Sequence, residues 1–280
     1  MDWIESLILG VVQGLTEFLP VSSDGHLTIT QIGFDALRGS KTSGASKLFF
    51  DVMLHLGTLT AIVVHYRKVV RAGARGLLGA TDVPALYERP ALIRTGLLAF
   101  VATLPLVPYA LVFKKLVEQA FESLTAAGVG FLVTAAVLLV TLVLKGGEKG
   151  PRETRWLDAL LIGIAQTFAP LPGVSRSGLT IAAALALGFA PSWAVGFSLL
   201  IAVPAILGAA VFEIKDVNPA TLTPDRLAQI IVATIIAGLV GYVAIVWLVR
   251  IVRAKRLWYF SVYLIILGVV VLLVMPRFLG

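Results

Sequence analysis

The sequence predicts an all-α polytopic membrane protein, with six transmembrane helices and two re-entrant helix-turn-helix hairpins arranged as an inverted internal repeat. Three observations predict it. The 280 residues are 58% hydrophobic and 14% charged, with a mean hydropathy of +0.95, whereas soluble domains carry about a quarter of their residues as charges. The apolar stretches approach the roughly 20 residues that a bilayer crossing needs. Finally, residues 9–29 and 162–181 resemble one another, each holding a hydroxyl-rich, glycine-containing turn inside apolar sequence. At a constant offset of 153, Gly10, Gln13, Val21, Ser22 and Gly25 fall on Gly163, Gln166, Val174, Ser175 and Gly178, while the Leu-Pro and Leu-Thr-Ile words match one residue out of that register.

Taken in order, Trp3 to Phe18 is apolar but interrupted by Gln13, Thr16 and Glu17 ahead of Pro20, so it is too short to span. His26 to Phe34 is a second short segment beyond the Ser22-Ser23-Asp24-Gly25 turn. Two short helices joined by a polar turn make a re-entrant hairpin, tolerated in a bilayer only where protein or a wet cavity covers the turn. Residues 35–47 are polar and read as a loop. Leu48 to Tyr66 is the first span, followed at once by Arg67, Lys68, Arg71 and Arg75, and a Gly- and Pro-containing connection leads to Arg94. Thr95 to Phe113 is the second span, with bends expected at Pro105 and Pro108. Lys114 to Ser123 is a short amphipathic connection, and Leu124 to Leu144 is the third span. The hairpin pattern then returns as Trp156 to Phe168, a turn from Pro170 to Gly178, and Leu179 to Phe189. Ala194 to Ile214, Leu227 to Val249 and Leu257 to Met275 complete six spans. The whole reads as one membrane domain of two repeats, about 1–145 and 155–280.

An odd number of crossings between the hairpins brings the second into the membrane from the opposite side, relating the repeats by a two-fold axis in the membrane plane. Charge supplies an independent check. Of 23 Lys and Arg, thirteen lie in segments 67–89, 145–155 and 250–256, and the alternate segments with the C-terminus hold eight. That bias places the three basic segments in the cytoplasm and both termini outside. The net charge of +7 is thus a topology signal, and nucleic-acid binding is not expected. The absence of cysteine excludes disulfides and thiolate metal sites. The acidic start, Met1-Asp2-Trp3-Ile4-Glu5, is unlike a cleavable signal peptide.

Glu17 and Arg176 carry the chemical argument, because a charge at the centre of a membrane helix costs about 2.5–3.5 kcal/mol on insertion scales. They must face each other or a polar cavity, and inverted hairpins bring both turns to the midplane. Gly173-Val174-Ser175-Arg176-Ser177-Gly178 ahead of a helix suits an anion. Amide N–H groups point outward, glycine allows close approach, hydroxyls donate, and the guanidinium forks onto phosphate oxygens. Ser22-Ser23-Asp24-Gly25-His26 offers a nucleophile three residues from a base, with Glu17 nearby; a helix cap and a solvated histidine is the plainer reading of the same spacing. Gln13 and Glu17, four apart, share a helix face and could hold a divalent cation with phosphate oxygens. Asp24 could orient His26 or bind that cation. His55 and Asp51, also four apart, read as structural, with His55 able to line the cavity, and His65 reads as interfacial.

At these residues the chain resembles the undecaprenyl-diphosphate phosphatases of the bacitracin-resistance type. The resemblance rests on Gln13-Gly14-Leu15-Thr16-Glu17 running into Phe18-Leu19-Pro20-Val21-Ser22-Ser23-Asp24-Gly25-His26, on Pro172 to Thr180, and on the word from Phe50-Asp51 to Leu56-Gly57. It implies a bacterial cytoplasmic (inner) membrane hydrolase whose site opens to the outer, periplasmic face, converting undecaprenyl diphosphate to the monophosphate and phosphate. By position, Glu17, Ser23, His26 and Arg176 would be catalytic, with Ser23 the nucleophile. Gln13, Ser22, Gly173, Ser175, Ser177 and Thr180 would bind substrate. The implied cofactor is magnesium or calcium, with Glu17 as its protein ligand. Gln13 takes the neutral option of a position that is Glu or Gln in the family, and Asp24 stands where Thr is common. The partners expected are a polyprenyl diphosphate and membrane lipid, with homo-oligomerisation left open. The rival reading is a secondary transporter or lipid flippase, since inverted repeats with broken helices also serve transport.

Overall fold

The computed structural model describes residues 2–39, 44–144, 146–214 and 223–279, and among them it is all-helical. The helices are α1 (Trp3–Phe18), α2 (Ser23–Arg38), α3 (Gly44–His65), α4 (Arg67–Leu77), α5 (Arg89–Thr103), α6 (Leu106–Ala120), α7 (Leu124–Val140), α8 (Trp156–Gln166), α9 (Arg176–Ala186), α10 (Pro191–Ile214), α11 (Pro224–Arg253), α12 (Tyr259–Leu273) and the single turn α13 (Pro276–Leu279). Their starts follow local chemistry. Asp2, Ser22, Ser123, Ser175 and Thr223 each accept from an amide in the first turn of the helix they cap.

Several boundaries differ from expectation. The second arm of the first hairpin runs to Arg38 rather than Phe34 and closes on Gly39 at φ +64°, so the predicted loop shrinks; residues 40–43 of it lie outside the described residues. The connection after the first span is no plain loop. It holds α4, whose Arg67, Lys68, Arg71 and Arg75 are exposed, set at 77° to the preceding helix. Its alternation of basic and apolar residues is the pattern of a helix lying in a membrane interface. At Pro105 the second span passes from α5 into α6 within the helical stretch Arg89–Pro108, and α6 absorbs most of the predicted connection. α7 and α12 have 17 and 15 residues, shorter than the stretches read from hydropathy, because the missing turns are tight. Thr141, Leu142 and Val143, and Tyr259, Phe260 and Ser261, donate to the carbonyl three residues back, a 3₁₀ arrangement. The predicted Lys215 to Arg226 connection falls largely on residues 215–222, outside the described residues, as does Lys145 at the end of the first repeat.

Three helical stretches, Arg89–Pro108, Pro191–Val211 and Pro224–Arg253, are long and apolar enough to cross a membrane, or four if the bent pair Phe49–His65 and Arg67–Leu77 is one span. Ile93, Leu97, Phe100, Leu161, Ile235 and Leu239 lie on the surface, an apolar exterior that water would disfavour and lipid accepts. The chain is a membrane protein.

Packing partners exchange between the halves. α1 and α3 pack on α11, while α8 and α10 pack on α5. The matched glycines make equivalent crossings: a Cβ on Gly10 would lie 2.7 Å from the Ala233 carbonyl oxygen, and one on Gly163 would lie 2.4 Å from that of Ala102. The hairpins open to opposite ends. Arg38 pairs with Glu5 at 2.5 Å, tying the end of α2 to the start of α1. At the other end Gly147 N–H donates to Phe189 O at 3.0 Å and Arg94 donates to Pro151 O at 2.9 Å. The base of the second hairpin thus lies beside the basic segment 145–155, and Lys255 shares a cavity wall there with Leu144 and Pro191.

Because the crossing at Gly163 has no room for a methyl group, Gly163→Ala is expected to destabilise by about 1–3 kcal/mol, as overpacking does. Gly33→Ala, where a Cβ would meet nothing within 4 Å, is expected to be neutral or stabilising by up to about 1 kcal/mol. Unfolding of both variants in one detergent checks the contrast.

Candidate active site

Each hairpin tip is built the same way. The prolines Pro20 and Pro172 follow the first helix, and a serine then caps the second: Ser22 Oγ accepts from Gly25 N–H at 3.2 Å, and Ser175 Oγ from Gly178 N–H at 3.1 Å. Ser22 adopts φ +69°, a left-handed conformation that costs a non-glycine residue about 1–3 kcal/mol and needs support from its surroundings. The tips touch. A Cβ on Gly25 would fall 2.5 Å from Gly173 N, and Ser177 Oγ donates to Leu19 O at 3.2 Å. Gly173, expected to make room for ligand, has φ +86° and lies against α7, where a Cβ would meet Ala127 O at 2.2 Å. Helix packing therefore dictates glycine there.

Between the tips lies Glu17, 6% exposed. One carboxylate oxygen, Oε2, accepts from Ser23 Oγ at 2.8 Å and from Gln13 Nε2 at 2.9 Å. The other, Oε1, accepts from Arg176 Nη2 at 2.5 Å. A buried carboxylate requires such partners, because burial without them is prohibitive. His55 Nε2 stands 3.4 Å from Glu17 Oε2 and 3.6 Å from Asp24 Oδ1, with its Nδ1 2.8 Å from Asp51 O. Asp24 thus faces His55, and the histidine read as structural belongs to the cluster.

His26 departs most from expectation. Its Nδ1 is 2.7 Å from Ser22 O and its Nε2 is 2.7 Å from the Tyr263 hydroxyl. Both nitrogens are engaged away from Ser23, whose hydrogen bond goes to Glu17, so Glu17 is the group placed to take the serine proton. All four expected substrate-binding hydroxyls, Ser177 included, are also engaged internally. Ser22 caps α2, Ser175 caps α9 and contacts Ser177 Oγ at 3.2 Å, and Thr180 Oγ1 bonds Arg176 O at 2.8 Å and Ser198 Oγ at 2.7 Å. Ser22 fixes the start of α2, and the other hydroxyls fix the backbone that presents Arg176 and the start of α9.

Thr134 was invisible as a site residue, being a threonine in the apolar run of α7. It is fully buried, donates from Oγ1 to Gly173 O at 2.8 Å and accepts from Ser175 N–H at 2.9 Å. One hydroxyl thus pins the second tip. Tyr263, in the last apolar helix, was equally silent.

Magnesium and calcium take oxygen ligands. Gln13 Oε1 and Arg176 Nη1 are both buried with no hydrogen-bond partner among the described residues. Gln13 Oε1 and the Glu17 carboxylate are oxygen donors of the right kind. Among the described residues no group of three or more His, Cys, Asp or Glu could hold a metal ion, so the residues fit a cation only where phosphate oxygens complete its shell. Arg176 Nη1 is a donor of the kind an anion takes.

The sequence model of the family described as Bacitracin resistance protein BacA matches residues 6–270. The chain belongs to this family. The BacA match contains the whole cluster, from Gln13 to Tyr263. The chain is also 39% identical over 274 residues to an undecaprenyl-diphosphatase of Carboxydothermus hydrogenoformans, covering 97% of each chain. Proteins of the same name from Chloroherpeton thalassium and Mycolicibacterium smegmatis are 34% and 35% identical, over 97% of this chain and 96% of theirs.

Thr134→Val keeps the side-chain shape but leaves Gly173 O and Ser175 N–H unpaired, and is expected to cost about 2 kcal/mol. A lowered unfolding temperature in detergent, in protein that still inserts normally, is the measurement.

Proposed function

We propose that this chain is an undecaprenyl-diphosphate phosphatase, releasing undecaprenyl phosphate and inorganic phosphate. The observation that carries the reading is the single buried carboxylate, Glu17, accepting from both a serine hydroxyl and an arginine. A transporter needs a binding site, but it has no need of a hydroxyl aimed at a base beside an anion-binding guanidinium. The undecaprenyl-diphosphatase name of the relatives over nearly their whole length points the same way.

In this proposal the frame is six spans and two re-entrant hairpins in the bacterial cytoplasmic membrane, as two inverted repeats. The exchanged packing partners and the oppositely opening hairpins support it. The site opens to the outer face, as the bias of basic residues toward the opposite segments argues. The prenyl tail stays among the spans.

Substrate diphosphate meets Arg176 and the amides at the start of α9. As Arg176 turns to phosphate, Glu17 Oε1 is released while Oε2 keeps the hydrogen bond from Ser23 Oγ. Ser23 Oγ then attacks the terminal phosphorus while its proton passes to Glu17. The bond from that phosphorus to the bridging oxygen breaks, and undecaprenyl phosphate leaves. Once Glu17 has passed its proton to the departing phosphate, it deprotonates the water that attacks the phosphoserine phosphorus; the bond to Ser23 Oγ breaks, Oγ takes the proton back from Glu17, and inorganic phosphate leaves. Gln13 and Glu17 would hold the divalent cation, which supplies positive charge against the phosphate oxygens.

Purified protein is expected to release phosphate from undecaprenyl diphosphate with magnesium or calcium, and to lose that activity with chelator. Ser23→Ala is expected to reduce turnover on the order of a thousandfold or more, and acid quenching of wild type to trap phosphoserine at Ser23. Near-normal turnover by Ser23→Ala would leave the serine only a positioning part; no release by wild type would refute the phosphatase.

A further inference from the structure

His26 makes no hydrogen bond to Ser23, whose hydroxyl bonds Glu17, and its partners define another task. The Ser22 carbonyl can only accept, so the His26 Nδ1 at 2.7 Å carries a proton. In the neutral ring Nε2 is then the acceptor, and the Tyr263 hydroxyl at 2.7 Å is its donor. The two ring planes are near parallel, at 12°, with centroids 5.8 Å apart. The edge of Phe131, with ring centroids 5.0 Å apart at 67°, closes another side of the imidazole. His26 is buried, while Tyr263 reaches in from a half-exposed position on α12.

The chain of bonds ends on the turn that matters. Ser22 holds a left-handed backbone, and Ser23 follows it directly. The Ser22 carbonyl accepts both the His26 side chain and, at 3.3 Å, the His26 amide. An oriented imidazole therefore keeps that peptide plane where Ser23 Oγ points at Glu17.

We propose that Tyr263 is a positioning residue for the reaction, acting through His26 on the Ser22-Ser23 turn. This rests on the phosphatase reading above. The proton that Ser23 loses goes to Glu17, and the His26–Tyr263 couple sets the geometry of attack, to which rate is steeply sensitive.

The test uses the full chain in detergent as wild type, Tyr263→Phe, His26→Ala and the double variant, assayed for phosphate release from undecaprenyl diphosphate. Tyr263→Phe keeps the ring and is expected to melt with wild type, yet to lower kcat about tenfold with KM unchanged. On the His26→Ala background it is expected to add nothing, since the couple acts as a unit. Nitrogen NMR of histidine-labelled protein gives a readout independent of activity, and the chain has only three histidines. The His26 Nε2 resonance is expected to move in Tyr263→Phe while those of His55 and His65 stay in place. Wild-type kcat in Tyr263→Phe, an effect that multiplies with His26→Ala, or an unmoved His26 resonance would overturn the inference while leaving the phosphatase standing. No release by wild type would overturn the phosphatase and the catalytic part of the inference together, and the resonance would still decide whether Tyr263 orients His26.

Discussion

The Glu17–Arg176 pair is the interaction on which the rest depends. Each residue belongs to a short helix arm in apolar sequence, and neither charge is tolerable there alone. Their neutralisation across 159 positions of chain requires the two tips to meet inside the molecule. That meeting in turn requires glycine where backbones touch, at Gly25 against Gly173 and Gly130 against Pro172 O. A buried ion pair is poor evidence of stability, because desolvation offsets much of the attraction. It is better evidence of a specified arrangement, and here the arrangement puts a hydroxyl, a base and an anion-binding cation within reach of one another.

The two hairpins share a frame and differ in chemistry. The cap serines Ser22 and Ser175, each three residues ahead of a glycine amide, are equivalent parts. What surrounds them is not. The first tip carries Glu17, Ser23 and His26, and the second carries Arg176 and a start of helix held open by Thr134 and Ser177. The α7 helix supports the second tip, and α12, its packing partner, supports the first through Tyr263. Each half therefore braces the other's turn.

Much of this was legible in the sequence because it follows from cost. Charges in apolar sequence, glycines at turns and a repeated motif leave few arrangements open, and they pointed to the hairpins, to Glu17 and Arg176, and to Ser23. What escaped was of two kinds. Thr134 and Tyr263 act across 41 and 237 positions of chain, and a hydroxyl in an apolar helix carries no local sign of a distant partner. α4 escaped because its glycines, Gly73 and Gly76, suggested a loop, whereas they permit close approach to Leu92 and Tyr87. Sequence spacing left both His26 and Glu17 open as the group that activates Ser23, because it says nothing about which way a ring turns.

The central claim is that Glu17 and Arg176, one from each half, form a single catalytic unit. Phosphate release from undecaprenyl diphosphate by Glu17→Gln, Arg176→Ala and the double variant tests it most directly. Each single variant is predicted to lose on the order of a thousandfold in kcat/KM, with the double variant no worse than the weaker single. Losses that multiply in the double variant, or an Arg176→Ala protein that keeps its activity, would contradict it.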